Sequence, residues 1–189
     1  MKYSHWTYAF RFLKASLYLQ SANPAEAAAI ENLKAIATMA GQRGDRAVSV
    51  VAMLLEGLSL LKTMKEDAIM RIQGCLAQAA KFQLEDSVYL MQTDILMLML
   101  DLACSLHQKS PQIIAQKYGA LQERLDGYLN NSEWGLSDTE MLVPIRKNSG
   151  SQYVISEDTA AILRPGSASE ECDYLAMSFW SKLEAFTIT

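Results

Sequence analysis

The stretch Asn23–Lys62, NPAEAAAIENLKAIATMAGQRGDRAVSVVAMLLEGLSLLK, constrains the fold of this chain more than any other. It encodes an antiparallel helical hairpin with its start, turn and stop all written locally. Asn23 is a capping residue, Pro24 stands at the first helical position where no donor is missed, and Glu26 falls where a capping box places its acid. Ile30, Leu33, Ala37 and Ala40 recur at spacings of three and four and form one apolar stripe. In Gln42-Arg43-Gly44-Asp45, Gly44 suits a left-handed C′ residue and Asp45 an N-cap for the next helix. That second helix, Arg46 to Leu61, is apolar on one row through Val48, Val51, Leu55 and Leu58, and on another through Val50, Leu54 and Leu61. A helix apolar on several sides needs neighbours on several sides, so the hairpin belongs inside a stack.

Composition agrees with a helical stack. The chain has 189 residues, of which 50% are hydrophobic, enough for one domain with a sizeable core. Four prolines and nine glycines leave long uninterrupted segments, which favours an all-α fold. A net charge of −4 argues against a nucleic-acid-binding module, which would present a basic face. Cys75, Cys104 and Cys172 are odd in number, far apart and set in apolar contexts, so free buried thiols and a reducing compartment are expected. No apolar signal core follows Met1, and the apolar run Ile95–Leu100 is closed by Asp101, far short of a membrane span. A soluble intracellular protein is the expectation.

The first helix is read over residues 4 to 20. Trp6, Phe10, Leu13 and Leu17 make one stripe, and Tyr8, Phe12, Ala15 and Leu19 a second. Two apolar faces call for a later segment folding back, or for sequence before Met1. Beyond the hairpin, Thr63-Met64-Lys65-Glu66 reads as a capping box opening a helix to about Gln83, with Ile69, Ile72, Leu76, Ala79 and Phe82 inward. A long helix is expected from Ser87 to about His107, nearly apolar all round. Ser110-Pro111 opens the next, with Ile114, Tyr118, Leu121, Leu125 and Tyr128 in register, ending at Asn130-Asn131 with a left-handed cap. A shift of roughly 39 residues lays Ile30 on Ile69, Leu33 on Ile72, Ala37 on Leu76 and Ala40 on Ala79, which suggests a two-helix repeat unit.

Residues 132–171 break the pattern and read as a loop or small β-hairpin excursion. Met141-Leu142-Val143-Pro144-Ile145 and Gln152-Tyr153-Val154-Ile155 are β-prone runs around a turn-rich Lys147–Ser151, and Pro144 confines its strand to an edge. Arg164–Ser169 reads as a linker. A further repeat helix is expected over residues 172–189, with Leu175, Phe179, Leu183 and Phe186 in register, and its lack of a stop signal suggests a truncated chain. The domain reading is therefore helical repeats over 1–131, the excursion over 132–171, and the start of another repeat after it.

No catalytic or metal-ligand spacing stands out. The two histidines, His5 and His107, make no pair with the cysteines, and no P-loop, GxSxG or GxGxxG occurs. Asp94 and Asp101 sit on roughly one face of the most apolar helix. They suit a polar seam or an ion pair at the edge of the stack, such as a salt bridge to a neighbouring repeat, the remote alternative being a carboxylate pair of an all-α enzyme. Glu56, within MLLEGLSLL, is similar. Trp134 and Trp180 read as packing anchors. The methionines between Met91 and Met99 and at Met64 and Met70 read as core filling, or as the lining of an adaptable groove. No catalytic, cofactor-binding or metal-binding residue is assigned, and a helical stack of this kind suits a scaffold holding an extended or helical peptide.

Gln42-Arg43-Gly44-Asp45 resembles the turn of a tetratricopeptide repeat, with Leu33, Ile36 and Ala40 at packing positions of the first helix. More specifically, Tyr3–Lys14, Ile36–Asp45, Ala80–Leu84 and Ser178–Phe186 are similar to stretches of fungal cohesin-loading factors, the smaller, tetratricopeptide-type subunit of the cohesin loader. The resemblance implies a degenerate tetratricopeptide-like helical solenoid in the nucleus, without catalytic activity. It implies a scaffold that binds the N-terminal segment of the large HEAT-repeat loader subunit, and through it supports cohesin loading on chromatin and sister chromatid cohesion in the cell cycle. No direct contact with nucleic acid or membrane and no cofactor is implied. The apolar ends suggest that the fragment self-associates through residues 4–20 or 172–189. The alternative is a tetratricopeptide-like adaptor of another nuclear or regulatory complex.

Overall fold

The fold is that of a computed structural model, which describes residues 4–20, 27–63, 66–82, 90–130, 141–147, 157–167 and 171–177. Among the described residues its helical part consists of α1 (Ser4–Gln20), α2 (Ala27–Arg43), α3 (Arg46–Thr63), α4 (Ala68–Ala80), α5 (Met91–Gln108) and α6 (Pro111–Leu129). They are followed by β1 (Met141–Arg146), a four-residue helix α7 (Glu157–Ala160), β2 (Leu163–Arg164) and β3 (Cys172–Met177). The protein is predominantly α-helical with a short β excursion.

The α2–α3 turn forms as its sequence dictates. Gly44 has φ 79°, the left-handed conformation that closes a helix, and the Asp45 amide donates to the Ala40 carbonyl at 2.9 Å. The expected start signals at Asn23, Pro24 and Glu26 lie outside the described residues. α3 is buried on every side, from Ala47 through Leu55 and on to Leu60, and packs against α2, α4, α5 and β1. Gly57 permits its close approach to α4 and α5. A Cβ there would lie 3.3 Å from Leu100 Cδ1 and 3.8 Å from Ile72 Cγ2.

Leu33 and Ile72, and likewise Ala40 and Ala79, are equivalent under the roughly 39-residue shift, and all four are buried. Helix boundaries differ where local signals compete. Thr63 closes α3 and donates its hydroxyl to the Leu60 carbonyl at 3.1 Å, so it caps nothing. α4 begins later, after Asp67. α5 ends on Lys109, a left-handed residue at φ 55°, and Pro111 then occupies the first turn of α6 as expected. Asn130 is right-handed, at φ −84° and ψ −4°, so the expected left-handed cap is not made there. Leu98 is only half-buried, and Leu96 and Leu100 are the buried leucines of α5.

The sheet departs furthest from expectation. Its order is β1-β3-β2, antiparallel throughout. The expected helix from residue 172 is instead the central strand β3 over Cys172–Met177; Phe179, Leu183 and Phe186 lie outside the described residues. Likewise Arg164 lies in β2, not in a linker. β1 is the strand expected at Met141–Ile145, and Pro144 does sit on an edge strand, where its missing N–H faces away from the ladder. Its partner is β3; the run Gln152–Ile155 expected opposite it lies outside the described residues.

Met141 opposite Met177, Val143 opposite Leu175 and Ile145 opposite Asp173 form the buried face of this sheet. The apolar side chains of this face belong to the same core as Tyr8, Leu33, Leu54 and Ile72. The described strands β1 and β3 are therefore packed on the stack. They return to its first helices, with β1 on α3 and β3 on α1.

Candidate functional site

Asp94 and Asp101 do not converge. Asp94 is buried and accepts hydrogen bonds from Arg124 Nη1 at 2.9 Å and the Tyr128 hydroxyl at 2.7 Å. Asp101 is two turns further along and pairs with Lys117 Nζ at 2.7 Å. All three partners are on α6, so the acids form the expected polar seam. Each carboxylate is neutralised by its own cation. The seam fixes the register of α5 against α6 through charge-assisted bonds, and leaves neither acid unpaired for proton transfer.

Glu56 is the buried acid of α3, with Lys34 Nζ at 3.7 Å and an Arg71 nitrogen at 4.0 Å. Burial pushes its carboxyl above the usual range, against the pull of Lys34 and Arg71. Lys34 and Arg71 also line an open cleft of about 240 Å³ with Ile30 and Leu60. The Cys75 thiol is pushed up to about 12, first by burial and then by Glu56, and is a poor nucleophile for that reason. Burial, and secondarily Asp101, raises Cys104 as well. All three cysteines are free; Cys104 is buried, and Cys75 and Cys172 are half-buried.

His5 is buried where α1 meets the sheet. Burial lowers its pKa, and Asp173 of β3 partly offsets that. His107 is exposed in the last turn of α5. Among the described residues no group of histidine, cysteine and acid is arranged to hold a metal ion, and no helix is long and apolar enough to cross a membrane. Met70 and Met99 are exposed and Met91 and Met97 half-buried, whereas Met53, Met141 and Met177 fill core. Trp134, Trp180 and Met64 lie outside the described residues.

The group that sequence reasoning missed surrounds Asp45. Expected only as a helix cap, its carboxylate is buried. It accepts from the Tyr8 hydroxyl at 2.7 Å, from Arg43 Nε at 3.0 Å and from the backbone N–H of Arg146 at 2.8 Å. The Arg146 guanidinium lies over Gly44, so close that a Cβ there would be 3.2 Å from it. One carboxylate thus joins α1, the α2–α3 turn and β1. Tyr8 was legible only as an apolar-stripe residue, Arg146 lies just past the β-prone run Met141–Ile145, and no local pattern links them.

The surface is distinguished by what it leaves open. Phe10, Leu13 and Leu17 of α1 are 61%, 56% and 60% exposed, on the side opposite buried Tyr8, Phe12, Ala15 and Leu19. Of the two apolar faces expected on α1, only the second is covered. α6 buries Tyr128 alone among its side chains, and a second open cleft, of about 480 Å³, runs along Ala120, Glu123, Arg124, Gly127 and Tyr128. Long helical surfaces of this kind suit the binding of a polypeptide better than the enclosure of a small molecule.

No curated protein and no solved structure matches the chain. The family model described as cohesin loading factor matches residues 1–189. The chain belongs to the cohesin loading factor family.

Proposed function

We propose that this protein is a non-catalytic scaffold of the cohesin loader. Its degenerate tetratricopeptide-like hairpins hold the N-terminal segment of the large HEAT-repeat subunit, and it acts in the nucleus, where cohesin is placed on chromatin. The observation that carries this reading is the way the helices are used. α3 is enclosed by its neighbours, while α1 and α6, on the outside of the stack, each keep a long face open. An enclosed helix and open outer ones are what a stack of hairpins needs to present surface to an extended or helical peptide. The pairing of Asp94 and Asp101 with separate cations of α6 weighs against the enzyme alternative. The helical repeats of residues 1–131 supply the scaffold in this reading.

The test is titration of the purified chain with the N-terminal segment of the large loader subunit from the same organism, followed by calorimetry. A saturable complex of one segment per chain is expected. No heat and no co-elution at tens of micromolar of each would overturn the proposal.

A further inference from the structure

α1 is apolar on two opposite faces, one buried through Tyr8, Phe12, Ala15 and Leu19 and the other exposed at Phe10, Leu13 and Leu17. On the open side, Phe10, Leu13 and Leu17 follow the i, i+3, i+7 spacing of a helix-docking seam, and Trp6, half-buried, extends it by one turn. Within the seam the Trp6 and Phe10 rings stack with centroids 5.4 Å apart. Its charge is one-sided. α1 contains no acidic residue, and its cations lie along a single flank. On that flank exposed Lys14 sits 5.9 Å from the Tyr18 ring centroid, and Arg11 reaches back to Asn32 Oδ1 at 3.2 Å. The opposite flank carries Ala9, Ser16 and Gln20, all uncharged.

We propose that the outward face of α1 docks an acidic amphipathic helix of a partner protein, its apolar residues on Phe10, Leu13 and Leu17 and a carboxylate on Lys14. The basic flank decides between occupants. A second copy paired antiparallel about a two-fold axis would set each flank against itself, Lys14 facing Lys14, with no acid on either helix to offset the repulsion. An anionic membrane is disfavoured because a membrane-surface helix carries a polar face rich in Lys and Arg opposite its apolar one, whereas α1 has two cations and packs the face opposite the seam into the core. A helix with carboxylates along one edge satisfies both the seam and the flank. This surface goes beyond the binding of the loader's large subunit and stands without it.

The test uses the full chain and two designed, labelled helical peptides. Both carry leucines at one heptad seam; one has glutamates flanking the seam and the other has lysines at the same positions. Fluorescence anisotropy should show the acidic peptide binding about tenfold or more tightly than the basic one. Leu13→Gln with Leu17→Gln should weaken the acidic peptide by about tenfold or more, because these side chains are the apolar anchors. Both positions are exposed, so unchanged circular dichroism is expected of that variant. Lys14→Glu should narrow the preference for the acidic peptide about threefold, the modest effect of a rim charge.

Equal affinity for the two peptides, or binding indifferent to the double variant, overturns the proposal. Two further results would do the same. One is concentration-dependent sedimentation of the chain alone that the double variant abolishes, which would name a second copy as occupant. The other is tighter binding to phosphatidylserine vesicles than to the acidic peptide. Because the probes are designed peptides and not the loader segment, failure here and failure of the scaffold reading are separate results.

Discussion

The α2–α3 hairpin and the β1-β3-β2 sheet reach the same core by different routes. The hairpin is specified by neighbours in sequence: an apolar stripe, a left-handed Gly44, and a helix that resumes two residues later. The sheet is specified by partners far away. β1 meets β3 across some thirty residues, and the Arg146 amide finds its acceptor in Asp45, a residue of the first hairpin. The lesson is that a segment breaking a repeat pattern is not thereby peripheral. Burial of Val143, Leu163 and Leu175 in the common core makes the sheet as much part of the stack as the helices.

The comparison breaks most visibly at the core itself. Leu54→Ala in α3 and Leu175→Ala in β3, both fully buried, should each cost about 2–5 kcal/mol in denaturant titration. Leu98→Ala, at a half-buried site, should cost less than either. If Leu175→Ala proves nearly neutral while Leu54→Ala does not, the sheet is an appendage and the equivalence drawn here is wrong.

The junction comes next in size. Asp45→Ala removes the acceptor of the buried Tyr8 hydroxyl and of the Arg146 amide, and one partner of Arg43, so a loss of about 2–4 kcal/mol is expected. Tyr8→Phe removes one donor and leaves Asp45 two others, so about 1 kcal/mol is expected. Gly44→Ala places a Cβ at positive φ and against Arg146, for about 1–2 kcal/mol. A cycle of Tyr8→Phe with Asp45→Ala measures whether the two act as one unit. Additive losses would dissolve the junction into independent contacts.

The pH dependence is smaller and separates the two regions. His5, between α1 and the sheet, has its pKa lowered by burial, so the folded state binds its proton less readily than the unfolded chain. Its contribution to stability is full above about pH 6.5, the unfolded value, and is lost as pH falls below it. His5→Gln should flatten the stability profile between about pH 7 and 5. Glu56, within the helical part, has the opposite sense. Its raised pKa favours the protonated folded state, so its contribution is full at pH below the unfolded value and declines as pH rises through the folded one. Glu56→Gln should therefore match or exceed the wild type in stability at neutral pH and lose that advantage in acid. A Gln variant clearly weaker at neutral pH would show that Lys34 and Arg71 outweigh burial there.

What was legible in the sequence followed the range of the forces involved. α1 was readable over Ser4–Gln20 and α6 from Pro111, because periodicity and a first-turn proline act within a few residues. The seam at Asp94 and Asp101 was readable as acids on one face of an apolar helix, though not which cations of α6 would meet them. β3 was misread because Cys172–Met177 is short, and its alternation of Asp173, Leu175 and Met177 inward is hidden by Leu175 also fitting a helical register. Strand pairing on both sides then overrides local propensity. The start of α4 was misplaced because Thr63 serves the end of α3, a competition that local motif reading does not resolve. The Asp45 junction had no local signal at all.

Native-state hydrogen exchange tests the central claim most directly, that the sheet and the first hairpins form one cooperative core. The slowest amides of β3 should exchange with the same opening free energy as those of α3, and Asp45→Ala should lower both together. Amides of β3 that exchange orders of magnitude faster than α3, with α3 unmoved by Asp45→Ala, would contradict it.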